Sequence, residues 1–369
     1  MYLRPFRLER YLAKYEFTAP YLMCSSDSES MSVGDLLAME PDASRRFQEL
    51  WLGYTESLGS PELRREIAAL YDTASPEQVL VHAGAEEAIF NFMHVVLKPG
   101  DHVVVQAPYY QSLGEVALGI GAHVSPWRGD PKQGWALEID DLTELLSPRT
   151  KLVVVNFPHN PTGFLPTEAF ARELAALSRQ HGFIIFADEV YRGLELDPRL
   201  QLSGFVDLDE RAVSLGVMSK TYGLAGLRIG WIATRDRELY DQMAAFKDYT
   251  TICNSAPSEF LATLALRNAA RLIQRNRKIV HANLDALDDF FADHARWFDW
   301  RRPLAGTVAF PRLKEADVDT FCADLVERAG VLLLPGTLYE PGLNHVRVGF
   351  GRRDLSQALN QLAAYLAES

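Results

Sequence analysis

Short apolar runs recur through the middle of the chain, separated by stretches whose apolar residues fall at helical spacing. Runs at 78–82, 102–106, 151–157, 183–187, 212–218 and 228–233 read as strands, and the patterns at 86–97 and 167–181 read as helices. This alternation predicts an α/β domain around a mainly parallel sheet. In such sheets a ligand sits off the carboxyl ends of the strands. A long helical pattern runs from about 257 to 291. From 297 onward the pattern becomes strand, helix, strand, strand, helix, at 307–310, 318–328, 331–334, 345–350 and 355–366. That order reads as a small α+β unit. The first 40 or so residues carry no strong pattern and are expected to pack on the small unit or to line the cleft. The expected organisation is a large three-layer domain over 45–285 and a small domain formed by 1–44 and 286–369.

A chain of 369 residues suits two such units. The net charge of −12 argues against a nucleic-acid footprint or a polybasic membrane anchor. No apolar run approaches a membrane span, and residues 1–17 are broken by Arg4, Arg7, Glu9, Arg10, Lys14 and Glu16, so no signal-peptide core fits there. Cys24, Cys253 and Cys322 are too widely spaced for a disulfide framework or a zinc site. A reducing, cytoplasmic setting is the simple expectation. His82, His94 and His102 lack metal-ligand spacing, so no metal is expected. Arg271, Arg275 and Arg277 are expected on a solvated helix face.

Candidate chemistry gathers at the ends of the strand-like runs. The run ending at Met218 leads into Ser219-Lys220-Thr221-Tyr222-Gly223. A lysine held there in a cleft loses hydration, which lowers its pKa and makes it a Schiff-base nucleophile. Taken alone, Lys220 is more readily a surface lysine. Eight residues on, Arg228 stands between glycines in Gly226-Leu227-Arg228-Ile229-Gly230, where its planar fork suits a phosphate or a structural ion pair. Asp188 and Tyr191 close another run in Ala187-Asp188-Glu189-Val190-Tyr191. There Asp188 either holds a protonated ring nitrogen or caps a loop, and Tyr191 can reach a ring oxygen. Asn160 lies in the rigid turn Asn156-Phe157-Pro158-His159-Asn160-Pro161-Thr162-Gly163 and can present its amide to a ligand.

With these patterns in this order, the chain resembles the class I/II aminotransferases of pyridoxal 5′-phosphate (PLP) fold type I, over nearly its whole length. The resemblance implies PLP as cofactor. Lys220 would hold it as an aldimine and move the proton between Cα and the cofactor. Asp188 would pair with the pyridinium nitrogen, Tyr191 and Asn160 would hydrogen-bond the ring oxygen, and Arg228 would clamp the phosphate. Gly84-Ala85-Glu86 matches the family's phosphate loop, whose backbone N–H groups bind. Relatives often have Ser or Thr at the Glu86 position. By the same resemblance Tyr110 would stack on the ring, and Arg347 would fork onto the substrate's α-carboxylate. Tyr54 would reach the phosphate of a neighbouring subunit in a homodimer. The substrates implied are an L-amino acid and a 2-oxo acid.

Two departures stand out. Where many relatives have a phosphate-binding serine, this chain has Val217; Ser219 or Thr221 could compensate. Where many relatives carry a glycine-rich stretch, it has Met23-Cys24-Ser25-Ser26-Asp27-Ser28-Glu29-Ser30. This acidic, serine-rich segment is similar to that of relatives acting on arginine-derived substrates, such as capreomycidine synthase. Asp248 lies in a region that often lines the same pocket from the partner subunit, and no arginine for a dicarboxylate is evident there. Glu29 is therefore a candidate substrate contact for a basic or polar side chain; the alternative is that Glu29 and Asp248 are solvated or ion-paired. Elimination, cyclisation or oxidation of an amino acid on the same scaffold is the first rival to transamination. A PLP-binding regulatory module is a second, disfavoured by the acidic charge and the lack of a helix-turn-helix segment.

Overall fold

The computed structural model describes residues 2–368. Its centre is a seven-stranded sheet of β1 (Val79–His82), β2 (His102–Ala107), β3 (His123–Arg128), β4 (Thr150–Asn156), β5 (Ile184–Asp188), β6 (Val213–Val217) and β7 (Gly230–Thr234), in the order β1-β7-β6-β5-β4-β2-β3. Strands β2 to β6 pair in parallel, while β7 runs antiparallel to both of its neighbours. The valine-rich strand β2 is buried along its whole length, as expected where helices cover both faces of a sheet. The sheet and its surrounding helices make the α/β architecture expected from the sequence.

The pattern of apolar runs did not predict β3. This edge strand is mostly exposed or half-buried, with only Trp127 buried, so its sequence carries no apolar run. The long helical pattern resolves into two helices, Ala256–Arg267 and Ala269–Asp293. The break falls at Asn268, whose side-chain amide donates to the Leu264 carbonyl at 2.9 Å and competes with the backbone ladder.

Residues 308–309, 334–335 and 346–349 form a three-stranded antiparallel sheet flanked by the helices Val318–Ala329 and Leu355–Glu368. Val280, Leu284 and Leu287 of the long helix pack into the same apolar cluster, as does Met23. Leu36 and Leu37 instead pack with Leu63, Ile67 and Trp231 beside the large sheet. The N-terminal segment thus passes from one core to the other between Met23 and Leu36, crossing the mouth of the cleft. Among the described residues no helix is long and apolar enough to cross a membrane.

Candidate active site

The parallel register sets Asn156 beside Asp188 and Asp188 beside Leu215, which aligns the carboxyl ends of β4, β5 and β6. A cavity of about 300 Å³ lies there. Of the residues singled out in the sequence, Ala85, Glu86, Tyr110, Asn160, Asp188, Tyr191, Ser219, Lys220, Arg228 and Arg347 all line it.

Lys220 follows directly from β6, and its Nζ donates to Ser26 Oγ at 2.8 Å. Burial lowers this amine to about 8, with Asp27 and Asp188 opposing and Arg347 assisting the shift. Asp188 is buried as well. Loss of hydration pushes its carboxyl up to about 7, although the Val190 N–H donates to it at 3.2 Å. The Asp188 carbonyl accepts from Asn156 Nδ2 at 2.9 Å, and Asn156 Oδ1 accepts the Asn160 N–H at 2.7 Å, so the acid and the Asn160 turn are fixed to each other. Asn160 Oδ1 accepts from Tyr339 OH at 3.1 Å and from Arg347 Nη1 at 3.3 Å. Arg347 also donates to Tyr339 OH at 2.6 Å and, through Nε and Nη2, to the Cys24 carbonyl. Tyr191 OH donates to the Ser26 carbonyl at 3.1 Å.

At the other end of the cavity, the helix Ala85–Val96 starts at Gly84 with no side-chain cap, which leaves its first N–H groups without an intrahelical partner. Arg228 packs against this start. A Cβ on Gly84, whose φ is +91°, would lie 2.6 Å from Arg228 Nη2. Gly230 allows the same approach from β7, since a Cβ there would meet the Ala85 nitrogen at 2.7 Å. Arg228 itself adopts a left-handed φ of +52°, a conformation that bulky residues keep mainly where function requires it.

The N-terminal helix Arg7–Tyr15 covers the opening. Leu8, Leu12 and Glu16 recur every four residues and face the cavity together with Glu9. Tyr110 OH donates to Glu9 Oε1 at 3.0 Å. Arg7 donates to the carbonyls of Thr337 and Tyr339, which ties the helix to the strand region carrying Arg347.

One residue expected in this cavity lies elsewhere. Glu29 does not line the cavity: its carboxylate accepts the Arg353 N–H at 3.0 Å, and its carbonyl accepts from Arg275 Nη1. The acid that this segment does turn inward is Asp27, held in a two-bond pair with Arg352 at 3.1 and 3.0 Å. Tyr54 is 93% exposed on this chain. Arg275 also departs from the expected solvated face, because it pins the carbonyls of Glu29 and Ser30. Sequence reasoning missed Ser26, Asp27, Tyr339, Arg352, Glu9 and Glu16 as cavity residues or their partners. The four-residue spacing of Leu8, Leu12 and Glu16 offered a signal for the helix, and the acidic segment 23–30 offered one for Ser26 and Asp27, though Glu29 was the residue chosen from it.

The donor set fits PLP. A buried amine can take the carbonyl carbon, and an arginine beside bare helix N–H groups can take a dianion. The buried Asp188 carboxyl, which forms no salt bridge among the described residues, can take a protonated ring nitrogen.

A family model for aminotransferases of class I and II matches residues 25–362. Capreomycidine synthase of Streptomyces vinaceus is 33% identical over 364 residues, covering 97% of this chain and 93% of that protein. A PLP-dependent aminotransferase from Streptococcus suis superposes with a TM-score of 0.94 at 30% identity, covering 100% of this chain and 99% of that one. The PLP-dependent cyclase OrfR superposes with a TM-score of 0.90 at 30% identity, covering 100% and 98%.

Proposed function

Because the chain belongs to the class I and II aminotransferase family of PLP-dependent enzymes, we propose that it moves an amino group from an L-amino acid to a 2-oxo acid. The observation that carries this reading is the shared cavity of a buried Lys220 amine, a buried Asp188 carboxyl and the Arg347 guanidinium. The bound cofactor supplies an electron sink for the pair left at the substrate's Cα. In this reading Lys220 Nζ holds the cofactor covalently between turnovers and carries the proton to and from Cα. Asp188 keeps the ring nitrogen protonated. Tyr191 and Asn160 hydrogen-bond the ring oxygen, and Tyr110 stacks on the ring. Arg228, Ser219 and the N–H groups at Ala85 and Glu86 hold the phosphate, with Gly84 permitting the close approach. Arg347, braced by Tyr339 and Asn160, forks onto the α-carboxylate. The reading includes a homodimer in which Tyr54 reaches the neighbour's phosphate. Its support is the exposure of Trp51, Leu52, Tyr54, Tyr249 and Ile252, in stretches joined by a bond from Thr55 Oγ1 to the Asn254 carbonyl.

We assign the amino donor to the class with basic side chains. Glu9, Glu16 and Asp27 line the cavity, and Arg352 is committed to Asp27, which leaves no spare cation for a second substrate carboxylate. Glu16→Gln should therefore raise KM for a basic donor and leave a neutral donor unchanged. At a half-exposed site the effect is roughly 1 kcal/mol, or about fivefold. Equal effects on both donors would count against the assignment.

A second reading, ring closure within a basic amino acid, draws support from the two relatives named as a capreomycidine synthase and a cyclase. One experiment separates the two. Purified protein is supplied with PLP, and its absorption is followed as amino acids are added singly. Transamination converts a visible band to a near-ultraviolet band that a 2-oxo acid reverses. A cyclised product with no reversal supports the second reading, and absence of any visible band removes both.

A further inference from the structure

The helix that starts at Gly84 opens with two adjacent acids in opposite environments. Glu87 turns back to accept the Ala83 N–H at 2.6 Å and the hydroxyls of Thr250 and Thr251. Together with the His82 ring 3.8 Å away, these bonds hold its carboxylate well below the usual range, even though burial acts against them. Glu86 turns the other way, into the cavity that Ala85, Ser219 and Arg228 also line. Its only hydrogen-bond donor among the described residues is Ser112 Oγ, at 3.1 Å. The groups facing it are Glu9 from the N-terminal helix, Tyr110, Asp188 from the end of β5, and Arg228. Two of these four are acids and only one is a cation. Burial accordingly pushes Glu86 up to about 7, with the Ser112 bond opposing, Glu9 adding and Arg228 subtracting.

A phosphate dianion held by Arg228 and the first N–H groups of the helix at 85 and 86 would lie beside this carboxyl. This placement rests on the cofactor reading given above. We propose that Glu86 is a proton-linked determinant of cofactor retention: its carboxyl takes up a proton as the phosphate is seated, so the grip on the phosphate weakens as pH rises through the Glu86 titration. The sign follows from linkage. The ligand's negative charge favours the protonated form, so binding takes up a proton, and affinity is greatest where that proton is already present. A hydroxyl residue at this position would impose no such dependence.

The test compares PLP dissociation constants of the wild-type protein and Glu86→Gln, measured by absorbance or tryptophan quenching from pH 6 to pH 8.5. The titrations of Lys220 and of the phosphate itself affect both proteins alike and cancel in the ratio. The wild-type constant divided by the variant constant is expected near one at pH 6 and about tenfold at pH 8.5, one pKa unit of linkage. Pyridoxal, which lacks the phosphate, should give a ratio that does not change with pH. If Glu86→Gln does not fold, Glu86→Ser serves the same comparison. Competition of inorganic phosphate against PLP on the wild-type protein, weakening as pH rises beyond the phosphate's own titration, provides a second readout. A flat ratio for PLP, or an equal slope for pyridoxal, overturns the proposal while leaving the cofactor reading intact. Failure of both proteins to bind PLP overturns that reading and the proposal with it.

Discussion

Lys220→Ala is expected to leave the protein folded and able to hold PLP only non-covalently, with turnover reduced by about 10⁴-fold or more, the upper range for loss of a positioned proton carrier. The physical case lies in how the amine is kept. Nζ is buried, bonded to a serine hydroxyl, and lowered to about 8 because its charged form is poorly hydrated. Below that value most of the amine is protonated and cannot attack. Covalent capture of PLP by the wild-type protein should therefore speed up about tenfold per pH unit up to about 8 and level off above it. Stopped-flow growth of the visible band measures this directly. An alanine variant that retains the band, or a capture rate independent of pH between 6 and 8, would place the nucleophile elsewhere.

Asp188→Asn carries the second large effect. The substitution preserves shape and can still accept the Val190 N–H, but it removes the negative charge that a protonated ring nitrogen requires. Removing one partner of a buried ion pair costs about 3–5 kcal/mol, or about 10²- to 10⁴-fold in kcat. PLP should still bind, since Arg228 and the helix start grip the opposite end of the cavity, and KM should move little. In cofactor-free protein the Asp188 carboxyl stands at about 7 because it is buried. A bound ring cation stabilises the carboxylate, so the acid limb assigned to Asp188 should move to lower pH when the site is loaded. A variant with unchanged kcat would show that Asp188 does not tune the ring.

The residues legible in sequence share one property: they follow buried strands. Lys220, Asp188 and Asn160 come just after apolar runs, where the parallel-sheet rule points to a ligand, and the structure brings them into one cavity. The polar cover was harder to read. Asp27 and Glu29 are two residues apart in the same acidic segment, and nothing local tells which turns inward. That is decided by Arg352 from beyond the last strand of the small sheet and by the Arg353 N–H, both more than 300 positions away in sequence. Tyr339 enters from a short 3-10 turn and carries no periodic signature. The strand β3 escaped for the related reason that an edge strand need not be apolar.

The contrast between β4–β6 and their cover also has a practical consequence for redesign. Asn156 and Asp188 stand as register partners within a sheet buried on both faces, and the Lys220 loop leaves the strand beside them. Leu8, Glu9 and Leu12 lie on one amphipathic helix and Glu16 caps its end, while the anchors of this segment, Arg4 and Arg7, point away from the cavity toward Glu115 and the carbonyls of Thr337 and Tyr339. A combinatorial library confined to those four positions would vary the wall of the cavity without disturbing the buried strands. Such a helix could be exchanged as a cassette, with new donor preferences selected on an unaltered chemical chassis.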